Sequence, residues 1–170
     1  MPSENCFKLN IDGSRSTSSG KIGASGVIRD HRGSWIFGFQ INLRVGEILD
    51  AEAWGLFYDM KLASQLQINN LSIESYSAVL VQLFQCANLE MHPLGSLLKG
   101  CKNFMSALRA TQINHIFRES NMTADALVEN SVLHELGRIV FDNPSAHVTQ
   151  SFLDDLGAVT RARRVSCSSS

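Results

Sequence analysis

The sequence predicts an α/β fold built on a mixed five-stranded sheet, with three antiparallel strands followed by two parallel strands and helices packed against them. Two observations predict it. Short runs of alternating apolar residues fill residues 7–41, which is typical of half-buried strands. From Asp50 onward the apolar residues recur at helical spacing, and two further strand-like runs are separated by helical segments. Strands that are connected through helices are parallel by default, so the sheet is mixed.

The first three strands form an antiparallel meander. The first covers residues 7–11 and ends at Asp12, because Gly13 and Ser14 interrupt the alternating pattern. The second covers residues 25–30, and the turn at residues 31–33 leads into the third, residues 34–41. Asp12 is therefore expected at the end of a strand.

Helices and strands alternate in the rest of the chain. The first helix begins at Asp50 and carries Glu52 in its first turn, and Asn69-Asn70 precedes a fourth strand. The remaining segments are helices over residues 79–84 and 94–108, a strand over 113–117, and a helix over 122–136 with Asp125 in its first turn. The predicted order is βββαβααβα.

Length and composition indicate one ordinary globular domain. The 170 residues are predicted to divide into an N-terminal extension (1–6), the domain (7–136) and a C-terminal tail (137–170) that is ordered to residue 157. Fifteen basic and sixteen acidic side chains give a net charge of -1, which excludes a strongly basic nucleic-acid binder. The four cysteines have neither zinc-site nor disulfide spacing, and no apolar run could span a membrane. We expect an intracellular monomer, cytoplasmic or nuclear.

Three acidic residues and one tyrosine are predicted to meet at one edge of the sheet. Asp12 and Tyr76 follow the first and fourth strands, which become parallel neighbours, so their carboxyl ends lie together. Glu52 and Asp125 stand in the first turns of helices that can point toward the same edge. Carboxylate oxygens are the ligands that Mg²⁺ prefers, so this edge is a candidate metal site.

Five blocks of sequence follow one another along the chain: Leu9-Asn10-Ile11-Asp12-Gly13-Ser14, Gly26-Val27-Ile28-Arg29-Asp30 with Gly33, Ala51-Glu52-Ala53-Trp54, Ile73-Glu74-Ser75-Tyr76-Ser77, and residues 116–125 ending in Thr123-Ala124-Asp125. In these blocks and their order the chain resembles ribonuclease H domains of the plant type, which occur alone or at the end of retrotransposon reverse transcriptases. The resemblance implies the ribonuclease H-like fold and a magnesium-dependent endonuclease that cleaves RNA in RNA·DNA hybrids.

The resemblance also implies roles for individual residues. Asp12 would bridge two Mg²⁺ ions, Glu52 would support the ion that activates water, and Asp125 would bind the ion on the leaving-group side. Weaker nucleic-acid contacts fall on four further residues, which are Gly13, Ser14, Arg29 and Arg118.

Tyr76 departs from the family pattern because it stands where the fourth acidic residue belongs. A tyrosine is neutral at pH 7, so one Mg²⁺ site loses a charged oxygen ligand and should be weakened. Glu74 shares the strand face of Tyr76 but lies two residues back, while Ser75 and Ser77 are expected to point to the other face.

The departure leaves three hypotheses for the chain's function. It could be a working hybrid endonuclease, a catalytically inactive hybrid or nucleic-acid-binding module, or a decayed domain that serves only as an interaction surface. A related exonuclease is disfavoured, because Ser14 stands where that class has a glutamate two residues after the first aspartate.

Overall fold

A computed structural model describes residues 6–86, 88–109, 112–117, 121–133 and 135–156. Its strands are β1 (Phe7–Arg15), β2 (Lys21–Arg29), β3 (Trp35–Val45), β4 (Leu71–Ser75), β5 (Ile113–His115) and β6 (Gly137–Phe141). Its helices are α1 (Ile48–Gln65), α2 (Ala78–Gln85), α3 (Gly95–Ala107), α4 (Met122–Ser131) and α5, described over residues 149–156.

The six strands form one mixed sheet in the order β5-β4-β1-β2-β3-β6. β1, β2 and β3 are an antiparallel meander, and β4 and β5 continue the sheet in parallel from β1. The predicted fold class and the order of the predicted elements are confirmed.

The predicted strand count was too low by one, because β6 was assigned to the tail. β6 pairs antiparallel with β3, so that Gly38 lies opposite Phe141 and Asn42 opposite Gly137. The predicted last helix was too long for the same reason: α4 ends at Ser131, and the chain then turns into the edge strand. Residues 137–156 therefore pack as part of the domain.

β1 is longer than predicted and continues past Asp12 to Arg15. Gly13 does not break the strand, since it pairs with Ala24 of β2. It instead makes room for α1: a Cβ on Gly13 would lie 2.7 Å from Cγ of Glu52 and 2.9 Å from its backbone nitrogen. The prediction that Asp12 stands at the end of its strand is wrong. The strand β4, which pairs in parallel with β1, does end beside Asp12.

The two faces of the sheet are covered in different ways. α1, α2 and α3 cover one face with a large apolar core that includes Leu9, Ile11, Leu56 and Met60. α4 and α5 cover the other, where the described residues form a smaller buried apolar cluster of Val27, Leu127 and Val148, with Trp35, Ala126 and Phe141 packed against it. Polar side chains fill much of the remaining buried space there, including Asn10, Ser25, Arg29 and Gln40.

Candidate active site

Asp12 is held at the middle of the sheet, on the strand face that α4 covers. Leu9 and Ile11 belong to the apolar core on the α1 face, so the alternation of β1 turns Asn10 and Asp12 the other way. Asp12 is buried, and its Oδ1 accepts a 2.8 Å hydrogen bond from the backbone N–H of Gly13. The strand thus fixes one carboxylate at the centre of the predicted site.

Glu52 approaches β1 beside Asp12 from the second turn of α1, because the helix begins at Ile48 and not at the predicted Asp50. The helix begins after Glu47, whose backbone N–H donates a 2.9 Å hydrogen bond to the Asp50 carboxylate. Glu52 is buried against Gly13, and Gly55 one turn later faces the backbone oxygen of Asp12. Burial raises the pKa of the Glu52 carboxyl, while a hydrogen bond from the Ser77 side chain opposes that rise.

The contact with Ser77 corrects a sequence expectation. Ser77 was predicted to point away from the site, but it is the N-cap of α2: its hydroxyl oxygen accepts a 3.1 Å hydrogen bond from the backbone N–H of Leu80, and the side chain also reaches Glu52. Ser75, by contrast, is buried on the apolar face as expected. The Ser/Thr preference of N-caps was the sequence signal that could have placed Ser77 at a helix start beside the site.

Asp125 is brought toward Asp12 by two contacts of the residues that precede it in the chain. The Asn121 side chain donates a 3.1 Å hydrogen bond to the backbone oxygen of Ile11, and the Ser25 hydroxyl donates a 2.6 Å bond to the backbone oxygen of Ala124. Ser25 is the residue that pairs with Asp12 across β1 and β2. The first turn of α4, and with it the half-buried Asp125, therefore lies over the strands that carry Asp12.

Tyr76 follows the last residue of β4, next to Asp12 in the sheet. Ile11 pairs with Ser75 in the parallel register, so the two following residues, Asp12 and Tyr76, leave the paired region side by side. Tyr76 is 42% exposed, and its ring faces solvent where an acid would be expected. Glu74 does not take that place, since its carboxylate contacts Lys8 Nζ at 2.8 Å and accepts a 3.1 Å hydrogen bond from Asn10.

The residues present do not complete a two-ion site. Asp12, Glu52 and Asp125 have the oxygen chemistry that suits Mg²⁺, but the fourth ligand position holds a neutral phenol. Over the part of the chain that the structure describes, no three His, Cys, Asp or Glu side chains are arranged to hold a metal ion.

The weaker predicted contacts have different surroundings. Gly13 and Ser14 lie half-buried on β1 beside the acids, where a ligand could reach them. Arg29 is only 5% exposed, and its guanidinium donates hydrogen bonds to Asn10 and Asp155. This burial disfavours a direct contact between Arg29 and a phosphate. Arg118 lies outside the described residues. Among the helices that are described, none is long and apolar enough to cross a membrane.

Comparisons with known proteins give the same relationship by sequence and by fold. A family profile described as "Reverse transcriptase-like" matches residues 10–131. A protein of Arabidopsis thaliana named "Putative ribonuclease H protein" is 31% identical over 158 residues; these are 93% of this chain but only 26% of that relative. The chain thus spans about a quarter of the length of this relative.

Solved structures share the fold at low identity. RNase H1 from the archaeon Halobacterium salinarum superimposes with a TM-score of 0.68 at 16% identity, covering 74% of this chain and 96% of the other. LC11-RNase H1, isolated from compost and solved in complex with an RNA/DNA hybrid, gives a TM-score of 0.66 at 19% identity, with 74% and 96% covered.

Proposed function

The chain belongs to the reverse transcriptase-like family of ribonuclease H-like domains, and from this we propose that it is a module that binds RNA·DNA hybrids and whose hydrolytic activity is impaired. The observation that carries the proposal is Tyr76, which is exposed beside Asp12 in the place of an acidic residue. Magnesium-dependent cleavage of the RNA strand is the activity that this change weakens.

Hybrid binding is supported by the fold and by the RNA/DNA hybrid bound in the structure of one similar protein. LC11-RNase H1 was solved with an RNA/DNA hybrid, and this chain shares its fold. The half-buried surface of Gly13 and Ser14 lies beside the carboxylates, where the nucleic acid would pass. The near-neutral net charge means that binding depends on a local surface and falls as salt rises. We also propose that the protein is a monomer in the cytoplasm or nucleus and that it descends from a plant retrotransposon.

Hydrolysis is weakened because the charge around the Asp12 carboxylate is incomplete. Asp12, Glu52 and Asp125 would hold Mg²⁺, which when bound would activate water and stabilise the leaving oxyanion, and a fourth negative oxygen would be needed beside them. Tyr76 supplies no negative charge at neutral pH, and Glu74 is held by Lys8 and Asn10 on the same strand face. Burial also raises the pKa of the Glu52 carboxyl, so this carboxyl loses its proton less readily than a solvated one.

The substitution Tyr76→Asp tests the proposal directly. With Mg²⁺ and a labelled RNA·DNA hybrid, we expect this variant to cleave RNA about 10- to 100-fold faster than the parent protein, because it restores the acid beside Asp12. Tyr76→Phe is the matched control, since it keeps the ring and adds no charge, and it should cleave no faster than the parent. Adding Asp12→Asn to Tyr76→Asp should abolish the gain.

Two results would contradict the proposal. Cleavage by the parent at the rate of Tyr76→Asp would show that hydrolysis is intact. Binding of hybrid no tighter than binding of heparin at matched salt would remove the binding function and favour a domain that is retained only as an interaction surface.

A further inference from the structure

Asp155, on α5, connects three elements that surround the candidate site. It is 3% exposed. Its carboxylate accepts hydrogen bonds from the backbone N–H groups of Met122 at 3.3 Å and Thr123 at 3.1 Å, and it also bonds the Thr123 hydroxyl. Its Oδ2, which accepts both Thr123 bonds, also contacts Nη1 of Arg29 at 3.4 Å. A side chain from the end of the chain thus meets the helix that carries Asp125.

These contacts give α4 a cap that its own sequence lacks. Asn121 precedes the helix, but within the described residues its side chain makes no capping hydrogen bond and instead bonds the backbone oxygen of Ile11. The first N–H groups of any helix need an acceptor, and a negative charge there is favoured by the helix dipole. Asp155 provides both from a segment more than thirty residues away.

Arg29 extends the connection from Asp155 to the strand of Asp12. Its Nη2 donates a 2.6 Å hydrogen bond to Oδ1 of Asn10, which lies two residues before Asp12 on the same face of β1. Asp155 and Arg29 are both buried, so removing either one leaves the other buried without its ion-pair partner. The geometry of α4 relative to β1 therefore depends on this pair.

We propose that Asp155 is a positioning residue that holds the first turn of α4, and hence Asp125, against β1 beside Asp12. The C-terminal helix is then a part of the site rather than an appendage to it. This inference rests on the proposed function only where it links the position of α4 to hybrid binding. The position of α4 itself is a property of the fold.

Amide hydrogen exchange in the full chain tests the positioning. Asp155→Asn keeps one acceptor oxygen but loses the charge, and Asp155→Ala loses both. We expect exchange of the α4 amides to accelerate about tenfold in Asp155→Asn and about 100-fold in Asp155→Ala, with amides of α1 changing much less. Asp154→Asn is the matched control: the neighbouring acid is exposed, bonds only Gln150 among the contacts described for it, and should leave α4 unchanged.

Hybrid affinity gives the functional readout of the same variants. At one fixed salt concentration, Asp155→Asn should raise the Kd for RNA·DNA hybrid several-fold, while Asp154→Asn should not. If Asp155→Ala does not fold, Thr123→Ala removes a single bond of the cap and should accelerate α4 exchange by a smaller factor.

Three outcomes would overturn the inference: unchanged α4 exchange in Asp155→Asn, equal acceleration in α1 and α4, or the same effect from Asp154→Asn. A parent protein that binds no hybrid would refute the proposed function alone, because the exchange comparison would still decide whether Asp155 positions α4.

Discussion

Asp59 is a buried acid whose removal should stabilise the protein, and increasingly so as the pH rises. It lies on α1 with 0% of its surface exposed. Neither carboxylate oxygen has a hydrogen-bond partner among the described residues, and both face Gly26, where a Cβ would lie 2.1 Å from each. Burial without a partner raises the pKa of Asp59 well above its ordinary value.

The size of the effect follows from the protonation of each state. The folded chain keeps the Asp59 proton, whereas the unfolded chain releases it above about pH 3.9. The contribution of Asp59 to the free energy of unfolding of the parent therefore falls by about 1.4 kcal/mol per pH unit above that value, until the folded pKa is reached. Below about pH 3.9 Asp59 is protonated in both states. There Asp59→Ala should raise the free energy of unfolding by about 1 kcal/mol, because it removes a buried polar group and has a better helix propensity, and these gains exceed the packing that is lost.

Urea denaturation of the parent and Asp59→Ala between pH 4 and pH 8 measures this difference. The gap in free energy of unfolding should widen steadily from pH 4 upward and level off at the folded pKa of Asp59. Glu129→Ala, which removes an exposed acid from α4, should stay within about 0.5 kcal/mol of the parent. A gap between parent and Asp59→Ala that is the same at pH 4.5 and pH 6 would refute the reasoning, because it would mean that Asp59 ionises equally in both states.

Two glycines give further predictions. Gly26→Ala should lower the free energy of unfolding by about 3 kcal/mol, because its Cβ would meet the Asp59 carboxylate. In a double-mutant cycle, Asp59→Ala in the same chain should recover most of that loss. Purely additive effects of the two substitutions would contradict this prediction. Gly13→Ala should cost about 1–3 kcal/mol and weaken hybrid binding, because the new Cβ would displace Glu52. Gly100→Ala, whose Cβ would meet only a Phe57 ring edge at 3.3 Å, is its control; equal losses would contradict the prediction.

The fold could be predicted because its signals are local. Alternation along β1 to β3 and helical spacing along α1 each lie within about a dozen residues, and the structure confirms both. β6 could not be predicted in the same way. It is a short, exposed edge strand with Ile139 and Val140 on opposite faces, and its partner β3 lies almost a hundred residues earlier in the chain. Pairing at that separation leaves no periodic signal in the strand itself.

In the candidate site, too, the features with local sequence signals could be predicted and the long-range contacts could not. Asp12, Glu52 and Asp125 were predicted from the local patterns of β1, α1 and α4, although β1 continues past Asp12 to Arg15; their function as ligands stays a prediction. The contact between Arg29 and Asp155 joins residues 126 positions apart, so Arg29 was assigned to nucleic acid instead. One signal was available: Val148, Phe152 and Asp155 recur at helical spacing, which places the acid on the buried face of a C-terminal helix.

The two sides of the sheet are therefore held to it by different kinds of interaction. The α1 side is held by a large apolar core, and apolar burial stabilises without fixing direction. The α4 side has a small apolar cluster and a layer of hydrogen bonds and charges, which are directional and costly to leave unpaired. Changes at Asp59 or Gly26 should thus alter unfolding and leave the site's geometry in place. Changes at Asp155 should alter the position of α4 while the core keeps the chain folded.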